Sequence, residues 1–341
     1  MLCGCFDFHG NDNGGQTVKS RELYYALCNF YGQENIDYVD TKGWKKHPFS
    51  LFVSLLKKAK HSEYMIMLPA HNGLKVFSRV FRYFKKRKSK KIYYDVVGGW
   101  LAEKLKNEPS LKRVLLDFDG IWVETTSMKR ALDDLGFERV HVLPNFKNLT
   151  KIAPEELDCS IEKPYRLCTF SRVIKEKGIE DAINAVNEIN RESGETIFSL
   201  DIYGQIDEGY AARFEELRSD FPEYIAYKGM VHPSKSVETL RGYTALLFPT
   251  HYYTEGVPGT LIDAMAAGVP VVSSLWLNSE DVFFEGITGW GYEFDNYYAF
   301  ADVLRKIKEN PEDFCAMKTS ALQKSLIFSS ENAVKIIDSI I

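Results

Sequence analysis

Short apolar runs alternate with stretches of helical spacing almost from one end of the chain to the other. The runs fall at 2–6, 64–68, 92–97, 121–124 and 140–143, and between them apolar residues recur every three to four positions. A polar stretch, KNLTKIAPEELDCSIEKP, then breaks the rhythm, which restarts with runs at 165–170, 198–203, 244–248 and 269–273. Strand-sized runs separated by helix-length segments predict βαβ units. The expected architecture is α/β, with two doubly wound parallel sheets. Ligands of such sheets bind at the carboxyl ends of the strands, so the loops that follow each run are where chemistry is to be sought.

Length agrees with two domains, because 341 residues exceed what one core usually serves. A charged fraction of 26% beside 45% hydrophobic residues excludes disordered and fibrous classes. No run approaches the ~18 apolar residues a membrane span needs. The start, MLCGCFDFHGNDNGG, reads as a first strand entering a glycine turn and not as a signal peptide. Six cysteines at 3, 5, 28, 159, 168 and 315 form no disulfide framework and no CxxC pair, which points to a reducing compartment, the cytoplasm. Net charge is split unevenly. Residues 1–150 hold 25 Lys+Arg against 16 Asp+Glu, and residues 151–341 hold 18 against 31, giving +9 and −13. The basic half should meet something anionic; nothing in the pattern suggests nucleic acid.

Three loops carry candidate chemistry. After the first run, Asn13-Gly14-Gly15-Gln16 opens a helix, and paired glycines at a helix start admit an anion to the backbone N–H groups; a tight turn with nothing bound fits the same pair. After YRLCTF, the segment Ser171–Gly178 (SRVIKEKG) places Arg172 and Lys177 at a strand-to-helix turn, where two cations suit a diphosphate or are simply solvated. Third, EGVPGTLIDAMAAGVP puts Glu255 in a Gly/Pro loop and Asp263 on the helix that begins near Gly259 and stops at Gly268. Two carboxylates so spaced can bracket a polyhydroxyl ligand. The seven histidines show no metal-binding spacing, so no metal is expected. Asp117-Phe118-Asp119 matches a short metal-binding DxD, and Leu116–Glu124 looks like the first motif of haloacid-dehalogenase phosphatases, with Asp117 as nucleophile. Leu111, Val114, Leu115 and Phe118 repeat at helical spacing, however, so these aspartates end a helix and precede the strand.

Taken together, the segments resemble the retaining glycosyltransferases of family GT4, which have the GT-B fold of two Rossmann-like domains facing across a cleft. SRVIKEKG resembles that family's diphosphate loop, and EGVPGTLIDAMAAGVPVV its Glu-x7-Glu segment; NGGQ and Leu143-Pro144-Asn145 resemble its first-loop glycines and the Pro-Asn that closes its first domain. The resemblance implies an acceptor-binding domain at 1–148, a nucleotide-sugar domain at 149–329, and a last helix at 330–341 returning to the first. It implies that Arg172 and Lys177 grip the donor diphosphate and that Glu255 lies near the transferred sugar. Gly256, Val257, Gly259, Thr260 and Leu261 would line sugar and phosphate, Asp263 would hold the ribose, and Gly15, beside Gly14, would lend its N–H to the phosphates. Asn145, Gly204 and Val231 are further candidates. The family often carries a histidine at the end of the strand represented by KIYYDVVGGW; here Asp95 stands there, and either it or His71 is a candidate for that role.

The expected activity is transfer, with retention and without a metal or cofactor, from a nucleotide-sugar, UDP-linked before GDP-linked, to a glycan, lipid-linked in surface polysaccharide assembly. A sugar-nucleotide-binding protein or an epimerase on the same scaffold is the alternative. Leu74, Phe77, Val80, Phe81 and Phe84 recur at helical spacing ahead of a basic run, Lys85–Lys91. Their spacing alone fits a core-facing helix. With the basic excess and the resemblance, the segment is expected to dock peripherally on an anionic membrane, the inner face of the plasma membrane.

Overall fold

The computed structural model describes residues 1–10, 14–149, 152–158 and 160–341, with the side chain of Asn72 also outside the description. Asn13 of the glycine loop and Cys159 therefore lie outside the described residues. Contacts divide the chain into two units, Met1–Asn148 with Phe328–Ile341, and Leu149–Ile327.

Unit 1 is a six-stranded parallel sheet built from β1 (Leu2–Gly4), β2 (Tyr38–Asp40), β3 (Tyr64–Met67), β4 (Lys91–Asp95), β5 (Gly120–Val123) and β6 (Val140–Val142), in the order β2-β1-β3-β4-β5-β6. Both faces are covered, as a parallel sheet requires. On one face, Leu55 and Ala59 of helix Pro48–His61 pack with Leu74, Phe77, Phe81 and Phe84 of helix His71–Lys88. On the other, Leu23 and Leu27 of helix Gly15–Tyr31 meet Trp122, Leu143 and the last helix, Ser330–Ile340, through Ala333, Val334 and Ile337. The last helix is tied in by Lys147, whose N–H donates to Phe328 O at 3.0 Å and whose carbonyl accepts from Ser330 N–H at 3.0 Å.

One expectation is corrected here. The stripe Leu74, Phe77, Phe81 and Phe84 is core and does not face a membrane. The basic run beyond it is partly neutralised. Lys85 pairs with Asp119 at 2.5 Å, Lys86 with Asp117 at 3.1 Å, and Arg82 also with Asp117. Asp117 follows helix Pro109–Leu115 and precedes β5, at the strand's amino end. The phosphatase reading needs a nucleophile at a strand's carboxyl end, and the structure removes it.

Unit 2 is a second six-stranded parallel sheet: β7 (Tyr165–Phe170), β8 (Phe198–Tyr203), β9 (Ile225–Gly229), β10 (Ala245–Phe248), β11 (Val271–Leu275) and β12 (Gly289–Glu293), in the order β12-β11-β10-β7-β8-β9. Strand β7 sits beside β10, with β8 and β9 to one side and β11 and β12 to the other. The chain order therefore reverses between β7 and β10, and the loops leaving those two strands flank a topological switch point. These are the loops that carry Arg172, Lys177 and Glu255.

Candidate active site

The loop after β7 runs through a single 3-10 turn, Lys175–Lys177, into helix Ile179–Ser193. Gly178 joins them at φ +67°, and a Cβ there would lie 1.9 Å from Pro249 O, so only glycine lets the two switch-point loops come this close. Gly204, at the end of β8, is held against Ser171 in the same way, with a Cβ position 1.7 Å from Ser171 O and φ +137°. The loops after β7 and β10 are then joined by a hydrogen bond: His251 N–H donates to Glu176 O at 2.8 Å.

Lys177 and Glu255, 78 positions apart in sequence, form an ion pair through Lys177 Nζ and Glu255 Oε1, with their side chains only 16% and 17% exposed. Thr250 Oγ1 donates to the same carboxylate oxygen at 3.3 Å. The Lys177 ammonium also lies 5.3 Å from the Phe248 ring centre and 5.2 Å from that of Tyr252, within cation–π range. The backbone carbonyl of Glu255 accepts from Trp276 Nε1 at 3.1 Å and from Asn278 Nδ2, which fixes the loop from the β11 side. None of Thr250, Trp276 and Asn278 belongs to a recognisable motif, and sequence reasoning missed all three. Arg172 is different. Its side chain is 61% exposed and its nearest carboxylate, on Asp207, is 4.0 Å away, which leaves it available to an anion.

Helix Gly259–Ala266 starts at the same edge with Pro258 at its N-cap and no side-chain cap. Gly259 and Thr260 supply first-turn amides, which a helix leaves without intrahelical partners. Leu261 N–H, by contrast, is engaged with Pro258 O at 3.1 Å. Thr260 Oγ1 is buried and has no hydrogen-bond partner among the described residues. Gly256 is half-buried beside Glu255, whereas Val257 and Leu261 are buried and contribute backbone only. Asp263, one turn into the helix, is buried as well. Val231 lies half-buried in the loop after β9. Another missed cluster flanks the site: His251 Nδ1 lies 2.6 Å from Asp295 Oδ1, and its Nε2 lies 3.0 Å from Asp181 Oδ2. Burial raises the Asp181 carboxyl above the ordinary range, an effect the histidine offsets only in part.

In unit 1 the chain order reverses between β1 and β3. Gly15 opens helix Gly15–Tyr31 there behind Gly14, exposed and with open space where a Cβ would be. His71 begins the helix after β3 and stacks on Trp100 with ring centres 3.8 Å apart. Partial desolvation against Trp100, followed by the Lys104 charge, lowers its pKa. Asp95, at the end of β4, is fully buried and paired with the equally buried Lys19 at 3.0 Å; Lys19 also reaches Glu124 at 3.2 Å and Val96 O at 3.3 Å. Burial raises the Asp95 pKa above the ordinary carboxylate value despite Lys19. Asp95 is therefore enclosed in an ion-pair cluster, while His71 stands at the surface. Asn145, after β6, accepts its neighbour's Phe146 N–H at 3.1 Å. Among the described residues, no three His, Cys, Asp or Glu side chains converge as a metal site would need.

Two Rossmann-like sheets, each with its loops gathered at a switch point, define the GT-B fold. Residues 159–324, nearly the whole of unit 2, match the family described as glycosyl transferases group 1, so unit 2 carries that domain. Over its full length the chain is similar to two solved structures. One is HepE of Anabaena in complex with UDP, at 13% identity and a TM-score of 0.74, covering 99% of this chain and 97% of that one. The other is sucrose-phosphate synthase from Thermosynechococcus elongatus, at 14% identity and a TM-score of 0.75, with the same coverage. In sequence it is 22% identical over 232 residues to the amylovoran biosynthesis glycosyltransferase AmsK of Erwinia amylovora. That alignment takes in 66% of this chain and 55% of AmsK, so the chain spans about half the length of this curated relative.

Proposed function

We propose that the protein is a retaining glycosyltransferase of the GT4 kind, moving a sugar from a UDP-sugar to a glycan acceptor without a metal ion. The observation that carries the reading is the Lys177–Glu255 pair, set at the β7/β10 switch point of a group 1 glycosyl transferase domain, with Arg172 exposed on the same loop. HepE, whose fold the chain shares, was solved with UDP bound, which favours uridine in the donor.

The pair holds a cation and an anion side by side and mostly buried, ready for a ligand that offers partners to both. A donor diphosphate takes Lys177 and Arg172, and the freed Glu255 carboxylate takes sugar hydroxyls. As the bond from the anomeric carbon to the phosphate oxygen breaks, negative charge grows on the leaving diphosphate. Lys177, Arg172 and the first-turn amides Gly259 and Thr260 stabilise it, which is the work a metal ion does elsewhere. The acceptor oxygen bonds to the anomeric carbon on the same face, and its proton passes to the leaving phosphate oxygen. No carboxylate nucleophile is needed, and none is assigned. Asp263 holds the ribose.

The acceptor is proposed to be a lipid-linked glycan in surface polysaccharide assembly. AmsK, a relative in sequence, is named for the biosynthesis of amylovoran. Docking on an anionic leaflet through the Lys85–Lys91 segment falls chiefly to Arg87, Lys88 and Lys90, since Lys85 and Lys86 are paired internally. Incubation with a panel of UDP-sugars and an undecaprenyl-linked glycan, with and without EDTA, tests the reading. It expects transfer insensitive to chelation and a product that keeps the donor's anomeric configuration. UDP-sugar binding with epimerisation and no transfer would replace it.

A further inference from the structure

Helix Pro48–His61 (PFSLFVSLLKKAKH) carries more apolar surface than the core takes. Leu55 and Ala59 are buried against the sheet, while Phe49, Phe52 and Leu56 are 80%, 43% and 40% exposed. Spaced i, i+3 and i+7, these three form one stripe along the outer side of the helix. Exposed lysines flank the stripe at both ends, Lys45 and Lys46 before it and Lys57 and Lys60 after it. Among the described residues none of these four makes an ion pair, whereas Lys42 is held by Asp7 and Lys58 by Asp37. No aspartate or glutamate occurs anywhere from 41 to 62. Helix His71–Lys88, on the same sheet face, adds exposed Val76 and Tyr83.

We infer that helix Pro48–His61 is an interfacial element that seats unit 1 on an anionic lipid surface. An apolar stripe bordered by lysines matches both layers of such a surface: Phe49, Phe52 and Leu56 enter the boundary between headgroups and acyl chains, and the lysines meet lipid phosphates. A second copy of the chain is a poor occupant, because a two-fold contact would bring an acid-free, lysine-bordered helix against itself. The inference shares its membrane with the acceptor reading above but rests on a different helix, on apolar burial, and on nothing in the donor chemistry.

Sedimentation of the full chain with vesicles tests it, comparing phosphatidylcholine alone with an equal mixture of phosphatidylcholine and phosphatidylglycerol. The wild type is expected to bind the mixed vesicles and to keep part of that binding at high salt. Phe49→Ser/Phe52→Ser/Leu56→Ser should bind at least about thirtyfold more weakly, since each lost side chain removes an apolar contribution worth several-fold. Its Tm and UDP binding should be unchanged, because all three residues lie outside the core. Lys45→Ser/Lys46→Ser/Lys57→Ser/Lys60→Ser should lose at least about tenfold on mixed vesicles. If the triple apolar variant binds as the wild type does and Arg87→Ser/Lys88→Ser does not, the basic run is the anchor and this inference is wrong. Absence of wild-type binding to either vesicle overturns both. A lipid-independent dimer, lost in the triple apolar variant, would assign the stripe to a second copy and overturn the inference too. Failure of UDP binding would sink the proposed function and leave this result standing.

Discussion

Replacing Lys19 by methionine removes the one cation from a closed cluster in unit 1. Lys19, Asp95 and Glu124 are almost wholly buried, and the Asp95 carboxylate has no other hydrogen-bond donor among the described residues. At 3.0 and 3.2 Å, with an effective dielectric near 20, each attraction amounts to about 5 kcal/mol before desolvation is counted. Desolvation of three ions consumes most of that, so the intact cluster contributes little net. Removing only the cation is another matter, because it strands the carboxylates. A loss of about 3–5 kcal/mol is expected. The loss has a pH signature. Burial already raises the Asp95 pKa above its unfolded value, and without Lys19 it rises further. A carboxyl whose folded pKa is raised stabilises the fold less as pH increases from the unfolded value, about 3.9, toward the folded one. The variant's deficit should therefore be smallest at or below the unfolded value, about 3.9, and grow as pH rises above it. Hydrogen exchange of the β1, β4 and β5 amides is the assay, since it reports on unit 1 separately from unit 2. A deficit under about 1 kcal/mol, or one independent of pH, would refute the reasoning.

Three further outcomes follow from the same geometry. Arg172→Ala and Lys177→Ala should each lower kcat/KM by about thirty- to a thousandfold, as expected for cations that strengthen their hold while the leaving group gains charge; near-wild-type turnover in both would remove the diphosphate assignment. In steady-state kinetics, Asp263→Ala should raise the donor KM more than it lowers kcat, while Glu255→Gln should do the reverse, and exchanged signatures would exchange the two roles. Asp119 is pushed up by burial but held lower overall by Lys85 and the Ile92 N–H, so its folded pKa lies below the ordinary value. That stabilisation is present above the unfolded pKa and is lost as pH falls through the folded one, so Asp119→Asn should cost about 1–2 kcal/mol near pH 7 and progressively less as pH falls from 7 through the folded pKa. Urea midpoints across that range are the check.

What could be read from the chain divides along physical lines. Strands such as GIWV and ALLF are buried throughout, so they appear as unbroken apolar runs. The strands that escaped notice, β2, β9 and β12, all lie at sheet edges, where one side is open and the apolar signal thins. β2 is three residues long, β9 ends in Lys228-Gly229, and β12 contains two glycines. The switch-point loops were legible because their glycines and cations sit directly after strong strands. The groups that hold Glu255 were not, since Trp276 and Asn278 reach it only through the pairing of β10 with β11. Lys19 carries no local signal of its burial, because nothing near it in sequence reveals that Asp95 and Glu124 close over it.

Calorimetric titration of UDP and UDP-glucose into the wild type and Lys177→Ala, with EDTA present throughout, tests whether the Lys177–Glu255 pair and Arg172 form a donor-diphosphate site. Such a site gives wild-type binding that persists under chelation and weakens at least about tenfold in Lys177→Ala, through loss of a charged hydrogen bond. Equal affinity in the two proteins, or binding that appears only when a divalent metal is restored, would contradict it.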